Sequence, residues 1–73
     1  MISDEMLTNW FTYHSPPADG EVVANYVRIR RAGEELARVI RDLTPSSADQ
    51  TAAIRKVREA VMTANAAIAC GGK

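Results

Sequence analysis

The chain has one cysteine, one histidine and only four aromatic side chains in 73 residues, and neither sign of charge is in excess. Each scarcity excludes something. A single thiol, Cys70, cannot close an intramolecular disulfide, and one histidine leaves no Cys/His cluster for a structural zinc. Nine basic residues balance nine acidic ones. Duplex DNA is held chiefly by neutralising its phosphates, so a chain without a basic surplus is a poor DNA partner. No apolar run approaches the roughly 18 residues of a membrane-spanning helix. The start Met1-Ile2-Ser3-Asp4-Glu5 is not the basic opening of a signal peptide, and a lone thiol suits a reducing compartment. The expected location is therefore cytoplasmic, with no membrane partner. Paired carboxylates, metal-ligand spacing and a glycine-rich phosphate loop are all missing. His14 adjoins Ser15, but sequence neighbours rarely form a nucleophile–base pair. No catalytic residue, metal ligand or cofactor is expected, and the chain does not read as an enzyme.

What is present is helical pattern. Val22, Tyr26, Ile29, Gly33, Leu36, Ile40 and Leu43 recur at alternating intervals of four and three, one face of a helix over residues 21–43, widened by Val23, Ala37 and Val39. Thr44-Pro45-Ser46-Ser47 breaks it. Ser47 with Gln50 reads as a capping box opening a second helix over 47–69, in which Ile54, Val57, Val61, Ala64 and Ile68 repeat the spacing. Gly71-Gly72 ends it. Residues 1–20 form an N-terminal arm in which Ser3, Asp4 and Glu5 suit a short helical turn up to residue 9. The expected fold is all-α, a single domain over 1–73: a short arm and an antiparallel two-helix hairpin. A chain of this size buries only about 60% of its unfolded surface. Lacking disulfide and zinc, it is expected to gain stability as a homo-oligomer. The alanines of the second helix, on more than one side, point the same way.

The candidate binding residues lie in the arm and the first long helix. Three of the four aromatics stand in Trp10-Phe11-Thr12-Tyr13, followed by His14, Pro16 and Pro17. The prolines disfavour helix there. Trp10 and Phe11 read as anchors of the arm; Tyr13 reads as a ring presented for stacking on a nucleobase. Among the arginines, Arg30, Arg31 and Arg38 have acidic neighbours four residues away, whereas Arg28 has none on its flank. Arg28 is thus the first candidate for an anionic ligand.

Phe11-Thr12-Tyr13-His14-Ser15-Pro16 precedes a helix start Tyr26-Val27-Arg28-Ile29-Arg30. A Thr-Pro-Ser turn follows, then Glu59-Ala60-Val61-Met62 and Ala64-Asn65-Ala66-Ala67-Ile68-Ala69. In order and spacing these resemble the small phage anti-CBASS proteins that sponge up cyclic oligonucleotides, over roughly residues 10–70. The resemblance implies a homohexamer that sequesters 3′,3′-cGAMP and related cyclic dinucleotides without cleaving them, in the cytoplasm of the infected bacterial host. This would deny the signal to the CBASS effector. It further implies that Tyr13 stacks on a base and that a basic residue early in the first long helix meets phosphate, Arg28 first and Arg30 second. His14 and Pro16 would shape the pocket wall. Some members also hold cyclic trinucleotides with an arginine after the Ala-Asn-Ala-Ala-Ile-Ala segment. Here that position is Cys70, which cannot offer a guanidinium's charged fork. Thr63 likewise replaces a tryptophan. The rival reading is a non-enzymatic helical protein-interaction or oligomerisation module, with the aromatic arm as a hydrophobic strap. A small DNA-binding regulator is disfavoured by the neutral charge and the lack of a helix-turn-helix.

Overall fold

The computed structural model describes residues 2–11 and 20–71. They form three helices: α1, Asp4–Trp10; α2, Gly20–Leu43; and α3, Ala48–Ala69. α2 and α3 pack as the expected antiparallel hairpin, and α1 lies against α2. With extents of 40 × 23 × 16 Å the molecule is little thicker than one helix diameter, so every helix keeps a face uncovered.

α1 starts where Ser3 accepts the Met6 backbone N–H through Oγ at 3.1 Å, and Asp4 and Glu5 face the positive end of the helix dipole. It runs through Trp10, past the single turn that the sequence suggests, because its inward residues have a core to enter. Ile2, Leu7 and Phe11 are buried there with Ala37, Ile54, Val57 and Val61, and Trp10 packs against them.

The helix–helix contact turns on Gly33. A Cβ at that position would stand 2.4 Å from Val61 Cγ2 and 3.1 Å from Phe11 Cε1. Only hydrogen fits where α1, α2 and α3 converge. The apolar stripe read from the sequence is broader than this contact. Tyr26, Gly33 and Ala37 of α2 are buried, while Leu36, Val39 and Leu43 are 50%, 41% and 79% exposed. α3 covers one part of the stripe and leaves the other part open.

The turn is held by side chains. Ser47 Oγ accepts the Gln50 backbone N–H at 3.1 Å, the first half of the expected capping box. The second half is replaced. The Gln50 amide crosses to α2, where Nε2 donates to the carbonyl oxygens of Arg41 and Thr44, both at 3.0 Å, with Thr44 Oγ1 at 3.2 Å. One buried side chain thus caps α2 and stitches the hairpin closed, satisfying carbonyls that a helix end leaves unpaired. At the other end of α3 the Cys70 N–H donates to the Ala66 carbonyl, and Gly71 takes a φ of 61°, a conformation glycine adopts without strain.

Candidate functional site

Residues on a helix are displaced by about 100° each, so Arg28 and Arg30 point to nearly opposite sides of α2. The difference sorts the candidates. Arg30 is half-buried and lies next to Ala37 around the helix, on the side of Arg41, which pairs with Asp4 of α1. Arg28 is exposed and belongs to the other flank. There it lines a shallow depression of about 480 Å³ with Asn25, Ile29, Ala32 and Ile68. The structure therefore does not bring the two arginines together. No ion pair engages Arg28 among the described residues, which leaves its guanidinium available for a phosphate. Tyr13, His14 and Pro16 lie outside the described residues.

Next to this depression the same flank opens into an apolar groove of about 500 Å³ between α2 and α3. Ile29, Leu36, Val57 and Val61 wall it; Ala60 and Ala64 keep it shallow. Lys56 is the charged residue at its edge. Its chemistry is that of an unfilled hydrophobic contact, whereas the Arg28 depression combines a cation, an amide and aliphatic walls. Sequence reading missed Asn25 and Ile68 as neighbours of Arg28. The signal was present, since Asn25 is one turn before Arg28, but the partner from α3 depends on the hairpin's register.

The charges of the opposite flank are structural. Arg38 and Arg41 converge on Oδ1 of Asp4, Arg38 Nη1 at 2.6 Å, and Arg38 also pairs with Glu34 at 3.1 Å. The Arg41 guanidinium, by hydrogen bond and charge, holds the Asp4 carboxyl below its ordinary pKa, and Arg38 adds to this. Asp4 in turn raises Arg41. Of the three spaced pairs expected along α2, only Glu34–Arg38 forms, because α1 brings Asp4 to that turn and fixes Arg38 there. Arg58 of α3 lies over the Trp10 ring, 5.5 Å from its centre, so Trp10 anchors the arm and is engaged rather than offered.

Two further positions bear on ligands. Thr63, six residues before the end of α3, and Cys70, just beyond that end, are both exposed. Asn65, in the Ala-Asn-Ala-Ala-Ile-Ala segment, has a buried Oδ1 that meets no donor among the described residues. No group of three or more His, Cys, Asp or Glu side chains that could hold a metal occurs among the described residues. No helix is long and apolar enough to cross a membrane.

No curated protein and no solved structure matches the chain significantly. One protein family does: the family described as Acb2/Tad1, hairpin domain, matches residues 4–69, which span α1, α2 and α3. That family comprises anti-CBASS sponges, binding proteins for cyclic oligonucleotides, as the resemblance implied. A match over nearly the whole chain, on an all-helical hairpin, places this protein in the Acb2/Tad1 hairpin-domain family.

Proposed function

We propose that this protein binds 3′,3′-cGAMP and related cyclic dinucleotides in the cytoplasm of an infected bacterium and holds them intact, so that the CBASS effector is not activated. The family match over residues 4–69 carries this reading. Arg28 supplies the charge-assisted contact to a phosphate, with Asn25 beside it as a neutral hydrogen-bonding group. Tyr13 stacks on a base, an interaction worth about 1–3 kcal/mol. His14 and Pro16 wall the pocket, and Arg30 is the second choice for the phosphate. The working form is a homohexamer, in which neighbouring protomers bring arm and helix together at each site. With Cys70 in place of an arginine, cyclic trinucleotides bind weakly or not at all.

The test is depletion and recovery. Mixing protein with 3′,3′-cGAMP removes free nucleotide, and proteinase digestion returns it unaltered. Recovery of a linear or hydrolysed product would make the protein an enzyme. No depletion at micromolar protein would refute the reading for that nucleotide. Tyr13→Ala and Arg28→Ala separate the site from a purely structural arm: both keep helicity and oligomer mass and lose nucleotide. If Tyr13→Ala instead changes the oligomer and leaves binding intact, the protein-interaction reading replaces this one.

A further inference from the structure

The side of α3 that meets α1 carries a second pair of arginines. Arg55 and Arg58 stand three residues apart, with Met62 one turn further on and Glu59 at the edge away from Arg58. The four line a depression of about 350 Å³ and all are exposed. Neither arginine enters an ion pair among the described residues, although Arg55 and Glu59 have the four-residue spacing of one. Arg38 and Arg41, by contrast, are bound by Asp4, Glu34 and Asp42.

Arg58 is held in a way that leaves its donors free. Its guanidinium carbon lies 5.5 Å from the centre of the Trp10 ring, a contact made by the flat face of the group. Trp10 is itself packed against the core. A stacked guanidinium gives up side-chain freedom and keeps its N–H groups, which point outward in the plane of the fork. A preordered cation thus stands beside an unpaired one, their Cβ atoms about 5–6 Å apart by helix geometry. Two such forks match one phosphate monoester, which carries nearly two charges at pH 7. The other two residues choose among such esters. Met62, 59% exposed, offers a thioether to a flat aromatic group, and the Glu59 carboxylate accepts hydrogen bonds from hydroxyls.

We propose that this depression is a second ligand site, for a ribonucleoside monophosphate, with the phosphate on Arg55 and Arg58, the base on Met62 and the ribose hydroxyls on Glu59. Its volume lies within the range of small-ligand pockets, which begins at about 300 Å³. A cyclic dinucleotide has only singly charged diesters and no terminal phosphate, so it is not the ligand here. The site stands apart from Arg28, and nothing in it rests on the cyclic-nucleotide reading above.

The chain's one tryptophan lies under Arg58 and reports on the site. The test is titration of the full chain with 5′-GMP, followed by indole fluorescence excited at the red edge of its band and by calorimetry. GMP gives a saturable response, and guanosine and inorganic phosphate each bind at least about tenfold more weakly. Arg55→Ala and Arg58→Lys, which keeps the charge and loses the stacked fork, each weaken GMP by about tenfold in calorimetry, with helicity retained by far-UV circular dichroism. Arg55→Ala leaves depletion of 3′,3′-cGAMP unchanged. No saturable heat or fluorescence change at millimolar GMP would overturn the site. Inorganic phosphate binding as tightly as GMP would overturn the nucleotide assignment. GMP binding lost in Arg28→Ala but kept in Arg55→Ala would move the ligand to the Arg28 depression and overturn the proposal too. If 3′,3′-cGAMP is not depleted while GMP binds as described, the reading above falls and this site stands.

Discussion

Replacing Gly33 by alanine tests whether the three helices converge as closely as described. In an exposed helix that exchange stabilises by about 1 kcal/mol, because glycine loses more backbone freedom on folding. Here the new methyl would stand 2.4 Å from Val61 Cγ2, and 3.1 and 3.4 Å from the Phe11 ring carbons Cε1 and Cδ1. Carbon atoms rest about 3.5–4.0 Å apart, so Val61 must withdraw by more than about 1 Å. It has little freedom to do so. Its side chain is β-branched and 8% exposed, and the Phe11 ring beside it is 2% exposed. Overpacking of this kind costs about 1–3 kcal/mol, leaving a net loss of up to about 2 kcal/mol after the helix gain. For a domain of this size each kcal/mol lowers Tm by about 4–8 °C. The sharper measurement is the double-mutant cycle, by thermal or urea unfolding at fixed protein concentration. In a Val61→Ala background the nearest clashing atom is gone, and Gly33→Ala becomes neutral or stabilising. The coupling between the two sites is then about 1–3 kcal/mol in favour of the double variant. Equal stabilisation by Gly33→Ala in both backgrounds would refute the close approach.

Two further outcomes follow from the turn and from the α1 clamp. Gln50→Leu keeps the packing of a buried side chain but removes the donor to the Arg41 and Thr44 carbonyls, and lowers stability by about 1–3 kcal/mol in urea unfolding. A neutral result would mean that those carbonyls find water. Asp4→Asn lowers Tm at neutral pH by weakening the bond between α1 and α2. Its neighbouring guanidiniums depress the carboxyl pKa in the folded state, so the stabilisation is complete above the unfolded value of about 3.9 and is lost as pH falls through the lower folded value. The gap in Tm between variant and wild type therefore closes on acidification into that range and narrows with added salt, whereas a gap independent of pH would rule out the charge as its cause.

The sequence contained the elements of the hairpin because their determinants are local. Alternating three- and four-residue spacing makes an apolar stripe on each helix, Pro45 breaks the first, and the Ser47 hydroxyl starts the second wherever they fold. The family, too, was legible in motif order. The same spacing could not say which part of a wide stripe meets a neighbour: Leu36 and Ala37 are adjacent, yet Leu36 is half exposed and Ala37 fully buried. It assigned Gln50 to its own helix's cap, whereas the side chain reaches across the turn to two carbonyl oxygens and the Thr44 hydroxyl. It ranked Arg28 above Arg30 by the lack of an acidic neighbour, but could not say that the two lie on opposite flanks of the packed hairpin. Periodicity determines the angle of each side chain around its own axis. Only the docking of α1 on one flank of α2, through Leu7, Phe11 and the Asp4 ion pairs, decides which angle is covered and which stays open. That packing half-buries Arg30, and it leaves Arg28 and Leu36 exposed on the open flank.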